Sequence, residues 1–200
     1  MLVDTSVARN FAIAGWIDEL CALSGGVVRV AQGVLGVDPE EPGELDRAKQ
    51  FFERQTRLHP AGSPDYTRAL AAEMGLEQLI ARRSSGHLEV VVPTPQELRT
   101  ATRLTEPEHR SWRQALRMRA RRLDAGEAVS IAIAVARGES FGCDDEDACI
   151  AYRALGGSQC LSTLDLVQRA VARSLLSEGT AREGYERLRT EYRFFGPPWR

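Results

Sequence analysis

The chain is short of cysteine and histidine and carries no large excess of either charge, and each shortage removes a class of function. Its four cysteines, Cys21, Cys143, Cys149 and Cys160, form no C-x-x-C pair, and only three histidines accompany them. That pattern excludes the usual zinc-ligand arrangements. The net charge is -2, so any nucleic-acid binding must come from a local patch rather than from overall basicity. No apolar run approaches the roughly 20 residues that a membrane-spanning helix needs. No glycine-rich phosphate loop follows the first strand-like run, which leaves small-molecule α/β enzymes of the nucleotide-binding kind without support. There is no internal repeat and no low-complexity tract. Met1 leads directly into a strand-like run with an acid in it, which is not the pattern of a secretory leader. The expectation is a cytoplasmic protein with free thiols and no membrane contact.

What is present is an alternation of short strand signals with helix signals. Met1-Leu2-Val3 reads as a buried strand stopping at Asp4, with Thr5 or Ser6 able to cap a helix that runs to about Leu23. Val27 to Val30 is a second strand. A helix over about 44–58 follows a turn-rich loop, and another starts near Pro64 with a break or bend around Gly75. Val90-Val91-Val92 is a third strand, ended by Pro93. Thr94 and Glu97 form a capping-box signal for the next helix. A further helix is expected over about 106–123. Glu127 to Arg137 has almost no polar face and should be buried. Ser140 to Cys143 and Gln159 to Leu161 are the last strand candidates, with two closing helices after them. This order predicts an α/β fold: a three-layer α/β/α sandwich around a mostly parallel sheet of four to five strands. Residues 1–200 read as one domain, and about 36–86 as a helical insertion, since that segment holds helices and little strand signal.

The chemistry is carried by acids at element ends. Ligands of open parallel sheets bind at the carboxyl ends of the strands. Asp4 ends strand one, and Asp144 and Asp145 end strand four. Glu127 opens the buried helix, where the helix dipole favours an ionised carboxylate. Asp147 follows within the same acidic run. Each acid alone also fits a plainer role, as a turn, a cap or a solvated helix start. Together they predict a rim where like charges repel unless a hard cation such as Mg²⁺ or Mn²⁺ neutralises them. Such sites hydrolyse phosphodiesters.

Three stretches resemble one family. Met1-Leu2-Val3-Asp4-Thr5-Ser6-Val7 is similar to the opening of PIN-domain proteins. Leu123-Asp124-Ala125-Gly126-Glu127-Ala128 is similar to their Gly-Glu-Ala helix start, and Gly142-Cys143-Asp144-Asp145-Glu146-Asp147-Ala148 to their Thr-Asp-Asp-x-x-Ala turn. Leu161 to Tyr192 resembles the closing helices of one subgroup. The matches cover roughly half of the chain, at both ends. The resemblance implies a PIN-like fold and a metal-dependent, single-strand-specific ribonuclease. It also implies a potential toxin of the VapC type with an antitoxin partner, and a homodimer. Asp4, Glu127, Asp144 and Asp145 would be the catalytic and metal acids, with Asp147 as a further or alternative ligand. One departure stands out: the family's second acid, on the helix after strand two, would fall near Gly36. Either Glu40, Glu41 or Glu44 is carried back to the rim, or a ligand is missing. A missing ligand would suit a catalytically weak PIN-like module that binds protein or RNA.

Six arginines fall within residues 110–122 with no acid among them: Arg110, Arg113, Arg117, Arg119, Arg121 and Arg122. Arg113, Arg117 and Arg121 share one helix face. They are the candidate contacts to RNA phosphates, or to an acidic antitoxin segment; the plainer alternative is a surface helix paired with acids elsewhere. Cys143 is expected as a buried free thiol, and Trp16 and Trp112 as core.

Overall fold

A computed structural model describes residues 1–36, 41–105 and 123–199. The elements run β1 (Leu2–Val3), α1 (Thr5–Ala14), α2 (Ile17–Leu23), β2 (Val28–Ala31), α3 (Glu44–Leu58), α4 (Pro64–Ala81) and β3 (Leu88–Val91). They continue with α5 (Pro95–Thr105), α6 (Ala125–Ala136), β4 (Phe141–Gly142), α7 (Glu146–Ala154), β5 (Cys160–Leu161), α8 (Thr163–Ala172) and α9 (Glu178–Glu191). The five strands form one sheet in the order β3-β2-β1-β4-β5. Every pairing is parallel. The chain builds outward from β1 through β2 to β3, then crosses back to place β4 on the other side of β1. That reversal makes the carboxyl ends of β1 and β4 the switch point of the sheet, the crevice where open α/β sheets bind ligands.

The sheet is covered by two groups of helices, as the strand and helix alternation predicted. α1 packs on α4, α8 and α9, while α6 packs on α5 and α7. Leu2 and Val3 are fully buried, consistent with a central strand covered on both faces. α6 is buried along most of its length, from Ala128 and Ser130 to Ala134.

Two helix boundaries differ from expectation. The first helix is two: Gly15 takes a left-handed conformation (φ 78°) that caps α1, and the chain restarts as α2. Conversely, α4 runs unbroken through Gly75. Gly75 faces the backbone of α1, and a Cβ there would lie 2.1 Å from the Ala12 carbonyl oxygen. The glycine marks close helix packing, not a bend. The expectation of four free thiols is also corrected. Cys149 and Cys160 form a disulfide that ties α7 to β5, while Cys21 and Cys143 are free and buried. No helix among the described residues is long and apolar enough to cross a membrane. The helix expected over about 106–123, with Arg113, Arg117 and Arg121, lies outside the described residues, as does Glu40.

Candidate metal centre

Asp4 is set at the switch point by β1 itself. Its backbone N–H donates to the Gly142 carbonyl (2.8 Å), which locks the end of β1 to the end of β4. Asp4 holds the cap position of α1 without making a side-chain cap bond. Its Oδ2 instead accepts from the Ser6 hydroxyl (3.4 Å) and the Cys143 thiol (3.8 Å). The residue is only 6% exposed. Burial, and next the neighbouring Glu44 carboxylate, push its carboxyl up to about 6.

Of the downstream acids expected as candidates, Glu44 stands beside the start of α1 and near Asp4. The loop after β2 folds back tightly. The N–H groups of Glu44 and Leu45 donate to the carbonyls of Gly33 and Val34, at 3.1 and 2.8 Å. Asp46 accepts from the N–H groups of Gly36 and Gly43, at 3.0 and 2.8 Å. Gly43 lies so close to Leu35 that a Cβ would meet its Cα at 2.5 Å, so only glycine fits without a shift. This stitching sets the first residue of α3 beside the first residue of α1, where the Thr5 hydroxyl donates to Glu44 Oε2. Glu41, by contrast, is exposed.

α6 contributes two acids. Asp124 and Glu127 form a reciprocal capping box: Glu127 N–H donates to Asp124 Oδ1 (2.7 Å), and Asp124 N–H to Glu127 Oε2 (3.1 Å). Burial is the main reason that the Glu127 carboxyl is pushed up to about 7, with the charges of Asp124, Asp145 and Asp4 adding to it. Gly126 stands between these acids and Glu44: a Cβ there would lie 2.6 Å from Glu44 Oε1 and 3.3 Å from Asp124 Oδ1.

The turn after β4 splits into two roles. Asp145 caps α7, its Oδ1 accepting from Ala148 N–H (2.9 Å), and it faces Glu127 closely enough to raise that carboxyl's pKa. Asp144 turns the other way. Its Oδ1 accepts from Thr163 N–H (2.7 Å), and its Oδ2 from the Thr163 hydroxyl (2.6 Å) and the Asn10 amide (3.1 Å). Burial raises its pKa in spite of these bonds. Asp144 therefore braces α1 and α8 against the end of β4. Asp147 is buried in the first turn of α7. Cys143 is a buried thiol pushed well up by burial, as befits a packing residue and not a nucleophile.

The rim thus draws Asp4, Glu44, Asp124, Glu127 and Asp145 from four separate segments. None of the five has an ion-pair partner among the described residues. Their oxygens suit a hard divalent cation. Among the described residues, however, no three His, Cys, Asp or Glu side chains are drawn tightly enough together to form a finished coordination shell. Asp124 is not among the acids expected from sequence, although its Asp-x-x-Glu spacing to Glu127 is that of a capping box. No protein-family model, curated protein or solved structure matches this chain.

Proposed function

We propose that this protein is a divalent-metal-dependent nuclease acting on single-stranded RNA, as its resemblance to PIN domains implies. One observation carries the proposal. Carboxylates from four segments converge at the switch point of the sheet with no cation beside them among the described residues, and two are pushed up to about 6 and about 7. Burying like charges together is unfavourable unless a ligand neutralises them.

Asp4, Glu44 and Glu127 would hold Mg²⁺ or Mn²⁺, with Asp145 beside them and Asp124 holding Glu127 in place through the capping box. When bound, the ion would polarise the phosphate and lower the pKa of a water molecule. The protein's own part is to hold the acids in place. Asp4 is fixed by its bond to Gly142, Glu44 by the loop packed beneath α3, and Glu127 by the capping box. Asp144 keeps α1 and α8 seated on β4. Asp4 and Glu127 carry protons part of the time near neutrality, and a cation displaces them. A toxin role with an antitoxin partner, and a cytoplasmic setting, belong to the same proposal.

Three signals should appear together on adding Mn²⁺ in a weakly buffered solution at pH 6.5: a rise in Tm, a release of protons and cleavage of single-stranded RNA. Asp4→Asn should lose all three. A Tm unmoved by millimolar Mn²⁺, with no cleavage of a mixed RNA pool, would overturn the proposal. That outcome would favour a binding module of the same fold, a reading that the lack of a finished coordination shell among the described residues also supports.

A further inference from the structure

A groove of about 710 Å³ opens between α1, α3, α4 and the chain just after α9. Arg9, Asn10, Phe51, His59, Arg68 and Arg193 are among its lining residues. Asn10, on its lining, donates its amide to Asp144 Oδ2 (3.1 Å), the acid that turns away from the rim. Its lining carries cations (Arg9, Arg68, Arg193), acids (Asp65, Glu191) and an exposed aromatic ring. Arg9 and Arg193 form no salt bridge among the described residues, although the Arg9 charge lowers the pKa of Asp144, whereas Arg68 is paired with Asp65. Arg193 sits in the left-handed region (φ 54°), an unusual conformation for an arginine, where the chain leaves α9. Phe51, on α3, is 48% exposed. Phe52 meets it edge-on, with ring centroids 5.2 Å apart, and packs against the core. Phe52 therefore steadies the Phe51 ring while leaving part of it open.

We infer that this groove binds a single strand of RNA, with Arg9 and Arg193 on phosphates and a base stacked on Phe51. Unpaired cations with an exposed aromatic face are the components of single-strand binding, because every base offers a π-face and every nucleotide a phosphate. In a duplex the bases are already stacked and paired, so the ring would have nothing to take. An acidic peptide would use the arginines and leave Phe51 idle. The inference rests on the nuclease proposal for its substrate class, but its test does not depend on cleavage.

A fluorescein-labelled single-stranded 12-mer of uridine, titrated with the full chain in EDTA, should bind at low salt. Phe51→Leu should weaken binding about 10-fold and Phe51→Trp should preserve it. Arg9→Ala and Arg193→Ala should each lower the salt slope of log K by about 0.7. Phe51 is half exposed, so an unchanged Tm will show that Phe51→Leu still folds. Absence of binding, equal affinity for the matched duplex, or displacement by polyglutamate with no effect of Phe51→Leu would each overturn the inference. Two further outcomes separate the proposals. Phe51-dependent binding without Mn²⁺-dependent cleavage would keep the groove and remove the nuclease. Cleavage indifferent to Phe51→Leu and Arg193→Ala would do the reverse.

Discussion

Two groups of acids around one sheet are treated in opposite ways. At the amino end, Glu139 pairs with Arg29 and with the Met1 ammonium (3.6 Å), and Arg29 also meets Glu89 at 3.0 Å across the β2–β3 register. Just past the carboxyl end of β3, Glu97, only 3% exposed, takes a two-pronged bond from Arg137 at 2.8 and 3.0 Å. Chiefly through the Arg137 bond, its carboxyl is pulled down to about 2. At the rim, Asp4 and Glu127 are pushed the other way, to about 6 and about 7. Glu97 and Glu139 are each supplied with a cation, whereas the rim acids have none among the described residues. Acids whose partner is a residue are finished when the chain folds. Acids whose partner is a ligand leave the protein less stable than it could be.

Removing the compensated acid should have the largest effect on stability. Glu97→Ala leaves Arg137 without its partner and removes the capping box in which Thr94 N–H donates to Glu97 Oε2 (2.6 Å). A loss of about 3 kcal/mol is expected by chemical denaturation. A loss under about 1 kcal/mol would mean that this pair is no better placed than the rim acids, and the contrast would weaken.

Removing an uncompensated acid should do the opposite. A carboxyl with a raised folded pKa contributes stability that is full below its ordinary value and is lost as pH rises through the raised one. For Asp4 that window runs from near 4 to about 6. For Glu97, pulled down to about 2, the contribution is present above its ordinary value and is lost as pH falls towards 2. Without metal, wild-type stability should therefore decline between about pH 4 and pH 7. Asp4→Asn should be more stable than wild type at pH 8 by about 1–2 kcal/mol, and its pH profile flatter. A destabilised Asp4→Asn at every pH would show that the carboxylate is held by the protein and not by a ligand.

Much of this contrast was legible in the sequence, for identifiable reasons. Asp4, Glu127 and Asp145 stand at element ends, where a strand stop or a helix start fixes their place through local backbone geometry. Sheet order cannot be read locally, and a rim of Asp4 with Asp145 required β1 and β4 to be neighbours, as they are. Glu44 was left open against Glu40 and Glu41 because the choice depends on a non-local fit: Gly43 pressed on Leu35, and Asp46 closing the loop. Asp144 and Asp145 are adjacent and look equivalent in sequence. They diverge because Thr163 and Asn10, remote in the chain, claim one of them. Gly75 carried a true signal with two meanings, a bend or a close approach, and only the position of α1 decides between them.

The division between Asp144 and its neighbour is open to test at smaller cost. Thr163→Val removes the hydroxyl that donates to Asp144 Oδ2 (2.6 Å) and leaves the backbone donor in place. A stability loss of about 1 kcal/mol is expected. Mn²⁺ affinity, followed by the Tm rise, should fall only a few-fold. A loss as complete as that of Asp4→Asn would move Asp144 from bracing residue to metal ligand.

The smallest expected change in stability comes from Gly126→Ala. Gly126 lies in the first turn of α6 with no positive φ, so alanine meets no backbone strain there and gains helix propensity of up to about 1 kcal/mol. Its new methyl would approach Glu44 Oε1 at 2.6 Å, but that oxygen is the far end of a flexible side chain and can move aside. At Gly75 the same substitution would meet the Ala12 carbonyl at 2.1 Å, and backbone cannot yield as cheaply. Gly126→Ala should therefore keep its stability within about 0.5 kcal/mol of wild type or raise it slightly. What it displaces is an acid of the rim. Mn²⁺ affinity should fall about 3- to 10-fold while folding is untouched. Unchanged Mn²⁺ affinity in this variant would remove Glu44 from the set of metal acids and return the second acid to the segment outside the described residues.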